Sequence, residues 1–198
     1  MNQRFIPILA MLGLFIFGQC QPAQKLSKFP YFPQKSALAD HAMVSTAHPL
    51  ATEVGLSILK KGGNAVDASV AVHLALAVVY PQAGNIGGGG FFVFRGKNGE
   101  AATLDFREKA PELATKNMYL DCTRRDSPVI KNLSTVGFLA AGVPGTIDGL
   151  VQQHAAYGHL PWRELVQPAY LLAKKGFKIT QQEADNLNEE KPDFEKAN

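Results

Sequence analysis

Four consecutive glycines, Gly87–Gly90, constrain this 198-residue chain more than any other stretch. Glycine loses more backbone freedom on folding than any other residue, so such a run implies close backbone approach or positive φ angles. Before it stands Ala65–Val79, apolar on nearly every face. A soluble helix with that pattern is buried on most of its surface, and Ala68, Ser69, Ala71, Ala75 and Ala77 let neighbours come close. Asn64 fits as its N-cap, Asp67 sits in the first turn where it favours the helix dipole, and Pro81 forbids continuation. After the glycines come Phe91–Phe94, a Gly96-Lys97-Asn98-Gly99 turn and a second apolar segment ending in Leu104-Asp105-Phe106-Arg107-Glu108. This is a hairpin signal. Glycine loops that cradle phosphate need the order strand, loop, helix N-terminus. Here the order is helix, glycines, strand, without the Lys-Ser/Thr of a P-loop, which argues against nucleotide binding. The glycines are instead expected to let a buried strand start tightly against the helix.

The folded part is expected to begin near Ala42, with Met43–Thr46 as a short strand. Pro49 suits the first turn of a helix that ends at Lys60-Lys61-Gly62-Gly63. Behind the hairpin, Leu113–Leu120 reads as a short helix and Asp121–Leu133 as an irregular exposed loop. Gly137–Val143 reads as a small-residue strand, followed by a helix through Ile147, Leu150 and Val151 to Gly158. Pro161-Trp162-Arg163-Glu164 opens another helix, which Pro168 should kink or shorten. Thr180-Gln181-Gln182-Glu183 has capping-box spacing and starts a last, polar helix that leads to Pro192. A fold with four short strands of this kind does not cover its own sheet faces or edges, so the chain reads as part of a larger fold.

With 46% hydrophobic and 19% charged residues the chain is a core-forming type. A net charge of +3 and scattered basic pairs, Lys60-Lys61, Arg124-Arg125 and Lys174-Lys175, form no stripe for nucleic acid. Arg4 followed by the apolar run Phe5–Phe17 is too short to span a bilayer and fits an export signal over residues 1–20, with 21–41 as an exposed leader. Cys20, behind Gly18-Gln19, resembles the lipid-attachment cysteine of a bacterial lipoprotein, although that site normally has a small residue where Gln19 stands. The expected location is therefore the periplasm or, as a lipoprotein, the outer membrane. The other cysteine, Cys122, then has no disulfide partner, and neither cysteine has metal-ligand spacing. The five histidines form no HxxxH or HExxH motif, and His73 reads as a core histidine.

Ser45, Thr46, Ser134, Thr135 and Thr146 lack an activating pattern, and there is no GxSxG elbow. Strand alternation places Leu104 and Phe106 on one face and Asp105 and Arg107 on the other. The planar guanidinium of Arg107 is suited to a bidentate carboxylate contact. Locally, either a structural pair with Asp105 or Glu108 or a substrate carboxylate satisfies it.

Several motifs together resemble the gamma-glutamyltranspeptidase family. They are Gly62-Gly63-Asn64-Ala65-Val66-Asp67-Ala68, Pro81-Gln82, Ile86–Phe91, Leu104–Pro111, Gly142-Val143-Pro144-Gly145-Thr146 and Tyr157–Trp162. The resemblance runs from about Ala42 to the end and keeps the motifs in order. It implies an α+β fold, the αββα sandwich of N-terminal-nucleophile hydrolases, present here as the incomplete N-terminal part of a large subunit (42–198). It implies a self-cleaving precursor, a threonine nucleophile on a small subunit, gamma-glutamyl substrates with glutathione the typical donor, and neither metal nor organic cofactor. Arg107 takes the substrate-binding role, gripping the α-carboxylate of the glutamyl group. No catalytic residue is expected in this chain, which stops before the threonine, and alone it is expected to be inactive. A β-lactam side-chain acylase of the same fold and a non-catalytic truncated product are the alternatives.

Overall fold

The computed structural model describes residues 37–126 and 128–197. The export run, Cys20 and the leader up to residue 36 lie outside them. Residues Ala42–Asn198 make one compact unit. Among the described residues it holds five α-helices and one two-stranded sheet: α1 Pro49–Lys60, α2 Ala65–Val79, β1 Phe91–Arg95, β2 Ala101–Asp105, α3 Thr146–Tyr157, α4 Trp162–Lys175 and α5 Gln181–Ala197.

Local signals start and stop the helices. The His48 ring Nδ1 accepts from Leu50 N–H at 3.2 Å to cap α1, with Pro49 in the first turn. Asn64 caps α2 through both Val66 N–H and Asp67 N–H at 2.9 Å, and Asp67 returns the bond to Asn64 N–H, a full capping box. Thr180 and Glu183 make the same reciprocal pair at the start of α5. Gly176, at φ +73, ends α4 in a conformation that favours glycine.

Helix α2 is the centre of the unit. Val70, Ala71, Leu74, Ala75 and Val79 are buried against Ala51, Val54 and Ile58 of α1 and Leu165 and Ala169 of α4, with Leu150 of α3 joining the same cluster. Each fully buried Leu, Ile or Val contributes about 1.5–3 kcal/mol, so α2 holds its neighbours mainly by apolar area. Ala65 and Ser69 remain exposed, so the helix is buried over most of its surface but not all.

Three expected elements do not form. Met43–Thr46 forms no strand and has no ladder partner among the described residues. Leu113–Leu120 forms turns, not a helix. Gly137–Val143 contains a 3₁₀ turn, Phe138–Ala140, and touches a neighbour through one bridge, Lys109 to Val143. Pro168 deletes one N–H from α4 without shortening it, and the helix continues to Lys175 with Leu165 and Ala169 packed on its inner face. Helix α5 likewise runs through Pro192 to Ala197.

The hairpin forms as expected, with Phe91 opposite Asp105 and Arg95 opposite Ala101. Its turn closes through Gly96 N–H to Glu100 O at 2.8 Å, with Gly99 at φ +87. The strands are not buried. Phe92 and Phe94 stack toward Tyr157 of α3, whereas Phe91 and Val93, on the other face, are 65% and 80% exposed.

Asp67 does more than favour a dipole. It is fully buried, and besides Asn64 N–H it accepts from His159 N–H at 2.9 Å and Leu160 N–H at 3.2 Å. His154 Nε2, which donates to Leu160 O at 2.8 Å, lies 3.9 Å from the same carboxylate. The start of α2 is thereby tied to the turn between α3 and α4. Asp67→Ala leaves three backbone donors without a partner, each costing about 1–3 kcal/mol. We expect urea melts to show a loss above about 3 kcal/mol; a loss below about 1 kcal/mol would mean that water replaces the carboxylate.

Candidate functional site

The chain leaves β2 at Asp105 and turns outward through Phe106, Arg107 and Glu108. Phe106 is buried, its N–H donating to Gly90 O at 3.0 Å and its ring 6.4 Å from that of His73 on α2. Arg107 points the other way, as strand alternation requires, with 56% of its side chain exposed. Asp105 Oδ1 accepts the Arg107 backbone N–H at 3.0 Å.

The guanidinium is held on two sides. Arg107 Nε donates to Glu108 Oε2 and Nη2 to Glu108 Oε1, both at 3.3 Å. Its Cζ also stands 5.8 Å from the centre of the Phe91 ring, a cation–π distance. Of the two structural partners considered, Glu108 is the one that pairs with the side chain, and Asp105 serves the backbone. The Glu108 carboxyl lies below its ordinary range, first because its own backbone N–H bonds to it and then because Arg107 does. The fork thus carries a carboxylate in the bidentate geometry that recognition of a free carboxylate needs.

The glycine run serves this segment and not α2. None of Gly87–Gly90 has a positive φ, and close approach to the exit of the hairpin accounts for Gly89 and Gly90. A Cβ on Gly89 would stand 2.6 Å from Arg107 Cα and from Glu108 N, and one on Gly90 would stand 2.9 Å from the Phe106 ring. Gly88 O accepts from Gly145 N–H at 2.8 Å and Thr146 N–H at 3.1 Å, which fastens the start of α3 to the run. On the far side, Lys109 and Val143 exchange backbone bonds at 2.8 and 3.2 Å, so Gly142–Gly145 runs beside Arg107–Lys109.

The sequence singled out Arg107 as the site residue, with Phe91, Phe106 and Gly145 only as parts of its motifs and Gly149 in none of them, yet all four shape its surroundings. Gly145 and Gly149 carry a signal in their spacing: residues four apart lie on one helix face, and two glycines there leave room for an intruding group. The helix expected through Ile147, Leu150 and Val151 to Gly158 forms as α3. Thr146, Gly149, Leu150 and Gln153 are buried, and Ile147 and Val151 face outward. Thr46 Oγ1 donates to His48 O, Thr135 Oγ1 donates to Asn132 O, and Thr146 Oγ1 is buried without a partner among the described residues. Cys122 is exposed, and no group of three or more His, Cys, Asp or Glu among the described residues is placed to hold a metal.

The gamma-glutamyltranspeptidase family model matches residues 51–198. The chain belongs to that family. A glutathione hydrolase proenzyme from Pseudomonas sp. (strain A14) is 52% identical over 158 residues, covering 80% of this chain and 27% of the relative. Among solved structures, the Helicobacter pylori gamma-glutamyltranspeptidase superposes with a TM-score of 0.77 at 48% identity, covering 81% of this chain and 45% of that one. A cephalosporin acylase from Bacillus halodurans superposes at 0.58 with 28% identity, covering 77% and 29%. The chain therefore has the mixed helix-and-sheet fold of N-terminal-nucleophile hydrolases, and it spans about a quarter of the length of the Pseudomonas relative.

His73 lies directly under Phe106, and burial lowers its pKa from the ordinary 6.5. The unfolded chain then takes up the proton first as pH falls, so this contribution to stability is full above about 6.5 and shrinks below it. We expect His73→Leu to flatten the decline in urea-melt stability between about pH 7.5 and 5.5. An equal slope in both proteins would show that the ring is hydrated when folded.

Proposed function

We propose that this chain supplies the substrate α-carboxylate subsite of a gamma-glutamyltransferase or glutathione hydrolase, with Arg107 as the gripping residue. One observation carries the reading. Arg107 stands at the exposed exit of the hairpin with its fork already in bidentate contact with a carboxylate, that of Glu108. A gamma-glutamyl compound offers an equivalent carboxylate on its α-carbon, and exchange of one carboxylate for another keeps the guanidinium paired throughout.

The chemistry follows that of an acyl transfer. A threonine on a small subunit, cleaved from the same precursor, attacks the γ-carbonyl. The amine leaves with a proton, and the glutamyl ester passes to water or to an amine acceptor. No residue of this chain takes a step in that exchange. Its part is to hold the glutamyl group at one end, which fixes where the γ-carbonyl lies. Residues 42–198 are the N-terminal part of the large subunit in this reading. The Phe5–Phe17 run supports export, and Cys20 supports a lipid anchor on an outer-membrane lipoprotein.

An acylase acting on a β-lactam side chain is the second reading, supported by the cephalosporin acylase neighbour at 28% identity. The glutathione hydrolase relative at 52% identity favours the first.

The test places residues 42–198 in the corresponding position of the Pseudomonas sp. (strain A14) glutathione hydrolase proenzyme and follows release from a gamma-glutamyl anilide. Arg107→Lys keeps the charge but loses the planar fork, and KM should rise by about 10- to 100-fold, or about 1.4–2.7 kcal/mol, with a smaller change in kcat. An unchanged KM would return Arg107 to a structural pair with Glu108.

A further inference from the structure

Arg107 is a long, half-exposed side chain, and such groups ordinarily move among many rotamers. Two exposed contacts, Glu108 and Phe91, are weak restraints by themselves. The backbone beneath it is another matter. The peptide that joins Phe106 to Arg107 lies between two glycines. A Cβ on Gly89 would strike Phe106 O and Arg107 Cα, both within 2.6 Å. From the opposite side, a Cβ on Gly145 would overlap Phe106 O and approach Arg107 O to 3.2 Å. Below, the Phe106 ring fills the gap in α3 at Gly149, where a Cβ would stand 2.6 Å from Phe106 Cβ. Three glycines from two separated parts of the sequence are therefore moulded around one residue.

The mould is closed by hydrogen bonds that prevent the two parts from separating. Gly145 N–H and Thr146 N–H both donate to Gly88 O, which ties the run containing Gly89 to Gly145, the N-cap of α3. Phe106 N–H donates to Gly90 O of the same run. Val143 N–H donates to Lys109 O at 2.8 Å, fixing the chain just beyond Arg107. The segment 106–109 is thus anchored at both ends and enclosed on two sides, with the Arg107 side chain directed away from the ring.

We propose that Phe106, seated against Gly89, Gly145 and Gly149, is a positioning residue that sets where the Arg107 guanidinium stands. It touches no substrate; it acts through Arg107. This rests on the substrate-binding reading of Arg107 for its functional meaning, whereas the positional claim can be measured without substrate. The physical reason for glycine at 145 and 149 is then volume, since neither has a positive φ. One added methyl group at either position must displace the Phe106 carbonyl or its ring, and close-packed interiors pass such displacements to the next residue.

The experiment uses the 198-residue chain labelled with ¹⁵N. The Arg107 Nε–Hε resonance is assigned by its loss in Arg107→Lys, and the indole resonance of Trp162, the one tryptophan, reports the fold. Gly145→Ala is expected to move the Arg107 resonance by more than its linewidth toward the position of free arginine, while the Trp162 resonance stays in place. Phe106→Leu removes ring atoms and adds none, and the same shift of Arg107 is expected there. If Gly145→Ala loses the Trp162 signal, Phe106→Leu decides. Native Arg107 position and width in a variant that keeps the Trp162 signal would overturn the proposal. Because no substrate is used, that outcome is separate from an unchanged KM in Arg107→Lys, which would overturn the binding role and leave the positioning intact.

Discussion

Asp67 has no contact with solvent, and its two oxygens accept from the backbone N–H groups of Asn64, His159 and Leu160. Burying a carboxylate is costly unless its oxygens are satisfied, so this one specifies its partners closely. The bonds join chain segments more than ninety residues apart and seat the turn between α3 and α4 on the first turn of α2. Asn64 Nδ2 adds a bond to Tyr157 O at 2.6 Å in the same place. With that corner fixed, α4 lies along α2 through Leu165 and Ala169, and Leu150 of α3 joins the same core.

The other end of α3 depends on absence of volume. Gly145 and Gly149 leave space that Phe106 occupies, and Gly88 and Gly89 bring the run before the hairpin against the same segment. One end of α3 is thus held by charge and hydrogen bonds, the other by steric fit. Between them the hairpin meets α3 twice, through Phe94 on Tyr157 and through Phe106, at the exit of β2, in the gap at Gly149. Arg107 stands at the edge of this frame, with 56% of its side chain exposed and Phe91 and Glu108 against its guanidinium.

Much of the helical part was legible. Asn64 with Asp67, Thr180 with Glu183, Pro49, Pro81, Gly158 and Gly176 are local devices, and each marks a helix end within a residue or two of where it lies. The hairpin was legible for the same reason, since a turn with Gly99 needs only its flanking strands. Legibility failed where a partner from elsewhere decides. Met43–Thr46 and Gly137–Val143 have strand-like composition but find no ladder, and Pro168 and Pro192 break no helix. At the site, the sequence pointed to Arg107 by strand alternation and family resemblance, and to the glycine run by its entropy cost.

By itself, then, the sequence determined the helix boundaries, the hairpin, the outward direction of Arg107 and the family to which the chain belongs. These depend on capping groups, breakers and period-two alternation, all of which act within a few residues. Only the tertiary structure decided what the glycines are for, which face of α3 is inside and that Asp67 is a buried tie. Volume and desolvation are properties of two surfaces brought together, and neither surface alone records the space that the other will fill.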